Sequence, residues 1–254
     1  MTQLEVRGLC KTYDLPGGPL QAVQPLSFTL EPGARLGIVG ESGSGKSTLA
    51  RMIAQLETPS GGEILLDGVP LRPRRYRDRR AIYQKIQLIF QNPQSSFDPR
   101  QTLRAGLREA AINWGAPRQT ADETIAALLA QVGLDPALMR RYPHEVSGGQ
   151  CQRAAIARAL LASPSLLLCD EVTSALDVSV GGQILDLLDA LCRDGGPSLL
   201  FISHDLAAVQ RLCPRAIVMQ GGRVVEEGPV AQLLDAPRDA YTRQLVDAAR
   251  GFCR

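Results

Sequence analysis

"RLGIVGESGSGKSTLARMIAQLE", residues 35–57, decides the fold. Its opening "RLGIVG" (35–40) is a short apolar run of strand type, "GESGSGKS" (40–47) is a glycine-rich turn, and "KSTLARMIAQLE" (46–57) reads as a helix. The turn fits G-x-x-x-x-G-K-[ST] at every position, and it has the preceding strand and following helix which that pattern requires. Gly40, Gly43 and Gly45 let the backbone wrap a phosphate where a Cβ would clash or forbid the dihedrals. The N–H groups of the loop (Glu41, Ser42 and Ser44 between the glycines) and of the helix start (Lys46, Ser47, Thr48) then face the anion. Lys46 neutralises β/γ-phosphate charge and the Ser47 hydroxyl can ligate Mg²⁺.

A phosphate cradle alone hydrolyses nothing. The missing carboxylates stand in "SLLLCDE" (165–171), where an apolar strand delivers Asp170 and Glu171 at its C-terminal end, the edge at which open α/β sheets place ligands. Successive strand side chains point to opposite faces, so the two are expected to divide the work. Asp170 suits the metal and Glu171 suits orienting or deprotonating the attacking water. A third strand, "SLLFISH" (198–204), ends on His204, which is placed to donate to a γ-phosphate. His144 receives no chemistry.

Working outward, strand–turn–helix units recur, the rhythm of an α/β domain with a largely parallel sheet. Residues 2–30 and 215–228 read as strands with turn glycines, and Ser163-Pro164 stops an alanine-rich helix after residue 150. Between about 93 and 145 the strand signal gives way to helical segments such as "ADETIAALLAQVGL" (121–134), broken at Pro117 and Pro136. The chain of 254 residues, 44% hydrophobic and 21% charged, is ordinary for a globular protein, and its net charge of +2 gives no reason to expect nucleic acid. The run "RPRRYRDRR" (72–80) carries six arginines, yet Pro73 and Asp78 interrupt it and no stacking platform accompanies it, so a solvated loop and helix start is expected. Six cysteines without a C-x-x-C read as reduced thiols, with Cys169 a packing residue. No apolar run approaches the ~18 residues of a membrane span, and no signal pattern opens the chain.

A second glycine turn stands in "VSGGQCQRAAIARAL" (146–160). Ser147, Gly148 and Gly149 at a helix start would present N–H groups to an anion, while Ser147 and Gln150 also have the spacing of a capping box; both readings stand, and capping would orient the turn that the anion meets. Taken together, these motifs resemble the ATP-binding cassette (ABC) ATPases, the motor subunits of ABC transporters, over nearly the whole chain and in the family's order. "VSGGQ" resembles the family signature, Gln91 in "IFQNP" its Q-loop glutamine, "SALD" (174–177) with Asp177 its D-loop, and His204 its switch histidine. Tyr13 falls where the family places an aromatic against adenine, although it reads equally as a strand residue. The resemblance implies a P-loop NTPase (RecA-like) core with an N-terminal antiparallel β subdomain. The core would span about 1–92 and 146–235, a helical subdomain about 93–145, and a short tail 236–254. It also implies ATP and Mg²⁺ as cofactors, with Gln91 near metal and γ-phosphate. In this family two cassettes pack head to tail, so the signature turn would serve the partner's nucleotide.

Three stretches, "IFQNPQSSFDPR" (89–100), "LCDEVTSALDVSV" (168–180) and "APRDAYTRQLV" (236–246), resemble the importers of oligopeptides, dipeptides and nickel. The implied partners are a second, related or identical ATPase subunit, two integral membrane permease subunits and an extracytoplasmic substrate-binding protein. The implied place is the cytoplasmic side of the plasma (inner) membrane, with no nucleic acid bound. Val172, Cys151 and Asp98 depart from the common pattern without removing a catalytic group. The short tail tilts the expected cargo toward nickel or a metal chelate over peptide. An exporter ATPase, or a soluble ABC ATPase uncoupled from transport, remains the alternative.

Overall fold

The computed structural model describes residues 2–72 and 76–251. Two sheets share one core. The chain opens with β1 (Leu4–Leu15) and β2 (Gly18–Leu30), an antiparallel hairpin that pairs on its other side with β4 (Gly61–Leu66) and β5 (Val69–Pro70), giving the order β2-β1-β4-β5. The larger sheet contains β3 (Arg35–Val39), β6 (Ile86–Ile89), β7 (Leu166–Asp170), β8 (Ser198–Ser203), β9 (Arg215–Gln220) and β10 (Arg223–Pro229) in the order β10-β9-β3-β8-β7-β6. All of its pairings are parallel except the β9–β10 hairpin.

Every residue of β7 and β8 is buried, which is why these strands read as continuous apolar runs rather than as alternations. The period of two survives in what each side chain meets. Leu166, Leu168, Leu200 and Ile202 face the layer shared with the antiparallel sheet and α1 (Lys46–Ile53). Leu167, Cys169, Leu199 and Phe201 face the helices on the other side. Those helices include α5 (Gly148–Leu160), α6 (Val178–Leu191), α7 (Leu206–Leu212), α8 (Val230–Asp235) and α9 (Ala240–Gly251).

Helix α2 (Tyr76–Lys85) leads into β6, and then α3 (Leu103–Asn113) and α4 (Ala121–Gln131) form the insertion; no strand occurs between 93 and 145. Leu107 and Ala111 of α3 and Ala121, Ile125 and Leu129 of α4 carry its apolar stripes, at four-residue spacing, into the helical layer. Part of the arginine run, residues 73–75, lies outside the described residues. Of its remainder, Arg72 lies 3.6 Å from a Glu63 carboxylate oxygen and Arg80 donates to the Asn113 carbonyl, 2.5 Å. Cys151, Cys169, Cys192 and Cys213 are buried free thiols, and Cys253 lies outside the described residues.

The helix expected over 46–57 ends earlier, at Ile53. Leu56 N–H reaches the Arg51 carbonyl at 2.8 Å and Gln55 N–H the Met52 carbonyl at 3.1 Å, with Gln55 at φ 58, the paired bonds of a Schellman end. The usual glycine is absent from that position, so the sequence carried no stop signal there.

Candidate active site at the carboxyl edge of the parallel sheet

The loop between β3 and α1 is held by its own protein before any ligand is considered. Gly40 lies against β9, where an added Cβ would fall 2.1 Å from the Met219 carbonyl oxygen. Gly45, at φ 96, lies against β2, where a Cβ would fall 2.4 Å from the Ala22 carbonyl oxygen. Both glycines are therefore required by close backbone approach, Gly45 also by its left-handed conformation, independently of any phosphate. The turn between β9 and β10 adds a bond from Gly222 N–H to the Ser44 carbonyl, 3.2 Å. A fourth tether comes from α9: Glu41 N–H donates to the Tyr241 hydroxyl at 2.8 Å.

Lys46 is 3% exposed and folds back on the loop. Its Nζ donates to the carbonyls of Gly40 (2.7 Å) and Glu41 (2.6 Å) and to Ser44 Oγ (3.3 Å). Burial pulls this ammonium below its ordinary pKa, with Glu171 and then Asp170 acting against that. Next to it, Ser47 Oγ donates to Asp170 Oδ1 at 2.9 Å, which joins the first turn of α1 to the end of β7. Burial raises the Asp170 carboxyl above its usual range despite that hydrogen bond. A hydroxyl and a partly dehydrated carboxylate at this spacing are hard oxygen donors of the kind Mg²⁺ takes, so the residues fit that ion.

Glu171 departs from the sequence expectation. Strand alternation does not separate it from Asp170, because β7 ends at Asp170 and Glu171 stands at φ 50, in the left-handed region that a non-glycine residue enters at a cost of about 1–2 kcal/mol. Its N–H is still tied to the Ile202 carbonyl, 2.9 Å, so the chain reverses while attached to β8. The reversal aims the carboxylate into the cluster. Gln91 Nε2 donates to Glu171 Oε2 at 3.1 Å, His204 Nδ1 lies 3.5 Å from the same oxygen, and Lys46 Nζ lies 3.9 Å from Oε1. Strain of this kind persists where surroundings over-determine it, and Ser174 contributes by donating to the Glu171 carbonyl at 2.8 Å while accepting from Gln91 at 3.2 Å. The sequence placed Ser174 in the D-loop-like stretch 174–177 but gave it no contact with Glu171; its place three residues after Glu171 was the available signal.

Six expected residues, Lys46, Ser47, Gln91, Asp170, Glu171 and His204, therefore meet at one sheet edge. The loop residues Gly40, Glu41 and Ser44 adjoin them through Lys46, whereas Tyr13, Asp177 and the second glycine turn do not join them. Tyr13 sits on β1 opposite Leu20, on the hairpin whose Ala22 abuts Gly45, with Lys11 Nζ 4.8 Å above its ring. Asp177 is the exposed N-cap residue of α6. Ser147 and Gly148 are exposed, and the turn closes on itself: Ser147 Oγ accepts from Gln150 N–H (3.2 Å) and Gln150 Oε1 accepts from Ser147 N–H (2.9 Å). The capping box is thus present. Gly149 is buried beside α6, where a Cβ would fall 2.4 Å from Val180 Cγ1.

Comparison with known families places the geometry. Residues 23–174, from the strand beside Gly45 to the serine beside Glu171, match the ABC transporter family model. The chain belongs to the ABC transporter family. As an ABC cassette it is 43% identical over 254 residues to the probable peptide ABC transporter ATP-binding protein y4tS of Sinorhizobium fredii (strain NBRC 101917 / NGR234), covering 97% of this chain and 72% of that one. It is 45% identical over 253 residues to the glutathione import ATP-binding protein GsiA of Escherichia coli (strain K12), covering 96% of this chain and 41% of that one. The chain thus spans about two fifths of the length of the glutathione import relatives it matches. Among solved structures, the cassette resembles cbiO1 from Clostridium perfringens, part of the ABC transporter complex cbiONQ, with TM-score 0.80 and 26% identity over 92% of this chain and 91% of that one. It also resembles the dimeric structure of MJ0796, a bacterial ABC transporter cassette, with TM-score 0.81 and 27% identity over 89% and 98%.

Proposed function

We propose that this cassette is the ATP-hydrolysing motor subunit of a bacterial ABC importer, closing on a second cassette around two ATP molecules to drive peptide uptake through membrane partners. The observation that carries the reading is the gathering of Glu171 by Gln91, His204 and Lys46 above the Ser47–Asp170 pair. Lys46 exchanges its loop carbonyls for β/γ-phosphate oxygens. Ser47 and Asp170 would hold Mg²⁺, with Gln91 a further candidate donor, and the ion would supply charge neutralisation at the phosphates. Glu171 orients and deprotonates the attacking water, and His204 donates to the γ-phosphate. The loop N–H groups up to Thr48, other than that of Glu41, which Tyr241 holds, cradle the phosphates, and Tyr13 stacks on adenine, an interaction worth about 1–3 kcal/mol. Ser147, Gly148, Gly149, Gln150 and Asp177 serve the nucleotide of the opposing cassette, which is why a second anion-seeking turn is exposed and self-capped.

Among the described residues no helix is long and apolar enough to cross a membrane, so attachment to the cytoplasmic face of the inner membrane would run through two permease subunits. An open groove of about 530 Å³, lined among others by Phe90, Phe97, Trp114 and Arg158, lies between β6 and α3 and suits the docking of a permease helix. An extracytoplasmic binding protein would deliver the cargo. The relatives named for peptide and glutathione import favour peptide over nickel or a metal chelate.

Glu171→Gln tests the catalytic reading. Hydrolysis should fall by about 10²–10⁴ while an ATP-bound cassette pair accumulates in gel filtration, and ADP should not produce that pair. A variant that turned over ATP at the unmodified rate would remove Glu171 from its role. For the cargo, the assembled transporter should turn over ATP faster with peptide-loaded binding protein than with a loaded metal chelate.

A further inference from the structure

The Gly40–Glu41 peptide group is tied at both polar ends. Its carbonyl oxygen accepts from Lys46 Nζ at 2.7 Å, and its N–H donates to the Tyr241 hydroxyl at 2.8 Å. Rotating this plane turns ψ of residue 40, which glycine leaves free, and φ of residue 41, which the Glu41 side chain restricts, so the hydrogen bonds at its two ends act on a plane that is free on one side only. Lys46 cannot guard the plane once its ammonium turns to a phosphate. Only the tyrosine bond then remains. Tyr241 is itself fixed. It is 8% exposed, its N–H donates to Asp239 Oδ1 at 2.8 Å, and Glu226 of β10 accepts from Arg238 N–H and Asp239 N–H, both at 3.1 Å, so the start of α9 is pinned to the sheet that carries the loop.

We infer that Tyr241 is a positioning residue of the nucleotide site, holding the Gly40–Glu41 peptide, and with it the start of the loop, in its present orientation when Lys46 leaves the loop for ATP. This assigns work to the "DAYTRQL" segment of the tail (239–245), outside the residues matched by the family model. It rests on the nucleotide-site reading above, and it concerns ground-state binding, since the tyrosine does not touch the hydrolytic cluster.

Tyr241→Phe keeps the ring in its packing and removes the one acceptor. Mg-ATP affinity of the full chain, measured by titration, should weaken about fivefold to tenfold, and in the cassette pair KM for ATP should rise while kcat stays within about twofold. The melting temperature without nucleotide should move little, and Glu41 amide exchange should accelerate selectively while the amides of β3 stay protected. An affinity within twofold of wild type would overturn the assignment. If the variant failed to fold, the wild-type chain still decides: Glu41 N–H exchanging as fast as that of exposed Ser42 would overturn it too. Failure of the wild type to bind Mg-ATP would instead sink the nucleotide reading, a separate outcome.

Discussion

At Gly40 an added Cβ would meet a strand carbonyl at 2.1 Å; at Gly149 it would meet a methyl of Val180 at 2.4 Å. The phosphate loop is bounded by backbone on two sides and tethered by Gly222 and Tyr241 on two more. The signature turn rests on side chains of α6, exposes Ser147 and Gly148, and satisfies its hydrogen bonds internally. On the proposed reading, the first is a receptor surface preorganised within its own chain and the second is half of one, left open to a partner, so a single cassette would carry two anion-seeking helix starts without competition between them.

Substituting the two glycines should make the contrast quantitative, on a scale of unfolding free energy. Gly40→Ala forces a carbonyl-to-carbon overlap that only backbone movement relieves, so a loss of about 4 kcal/mol or more, with nucleotide binding abolished, is expected in denaturant titrations. Gly149→Ala meets a half-exposed valine that can rotate, and alanine is the better helix former by about 1 kcal/mol, so the net loss should be about 1–2 kcal/mol. Single-chain ATP affinity should survive the second change but not the first. Equal losses would show that the signature turn is as rigidly framed as the phosphate loop.

The same two regions show what one sequence reveals. The phosphate loop, the β7 carboxylates and His204 were legible because motif, strand ending and sheet edge all agree on a place. The capping box was legible from its local spacing. Glu171 was assigned its task for the wrong geometric reason, since a positive φ at a non-glycine residue leaves no compositional trace. The same blindness hid the end of α1 at Gln55. Tyr241 was visible only as part of a branch-specific stretch, because its bond to Glu41 joins residues two hundred positions apart and no local pattern encodes it.

Ser147 gives the smallest effect on stability and the sharpest separation of capping from anion binding. Ser147→Ala removes the side-chain acceptor for Gln150 N–H and should cost about 1 kcal/mol. Aspartate caps a helix about as well as serine and favours the positive end of the α5 dipole, so Ser147→Asp should leave stability within about 0.5 kcal/mol of wild type. Its carboxylate would nonetheless face the partner's γ-phosphate. If the turn serves that nucleotide, Ser147→Asp in the Glu171→Gln background should abolish the ATP-driven pair in gel filtration, while Ser147→Asn, a neutral cap of the same quality, preserves it. Pairing that tolerates the aspartate would reduce the turn to a helix cap and break the division of labour between the two glycine turns.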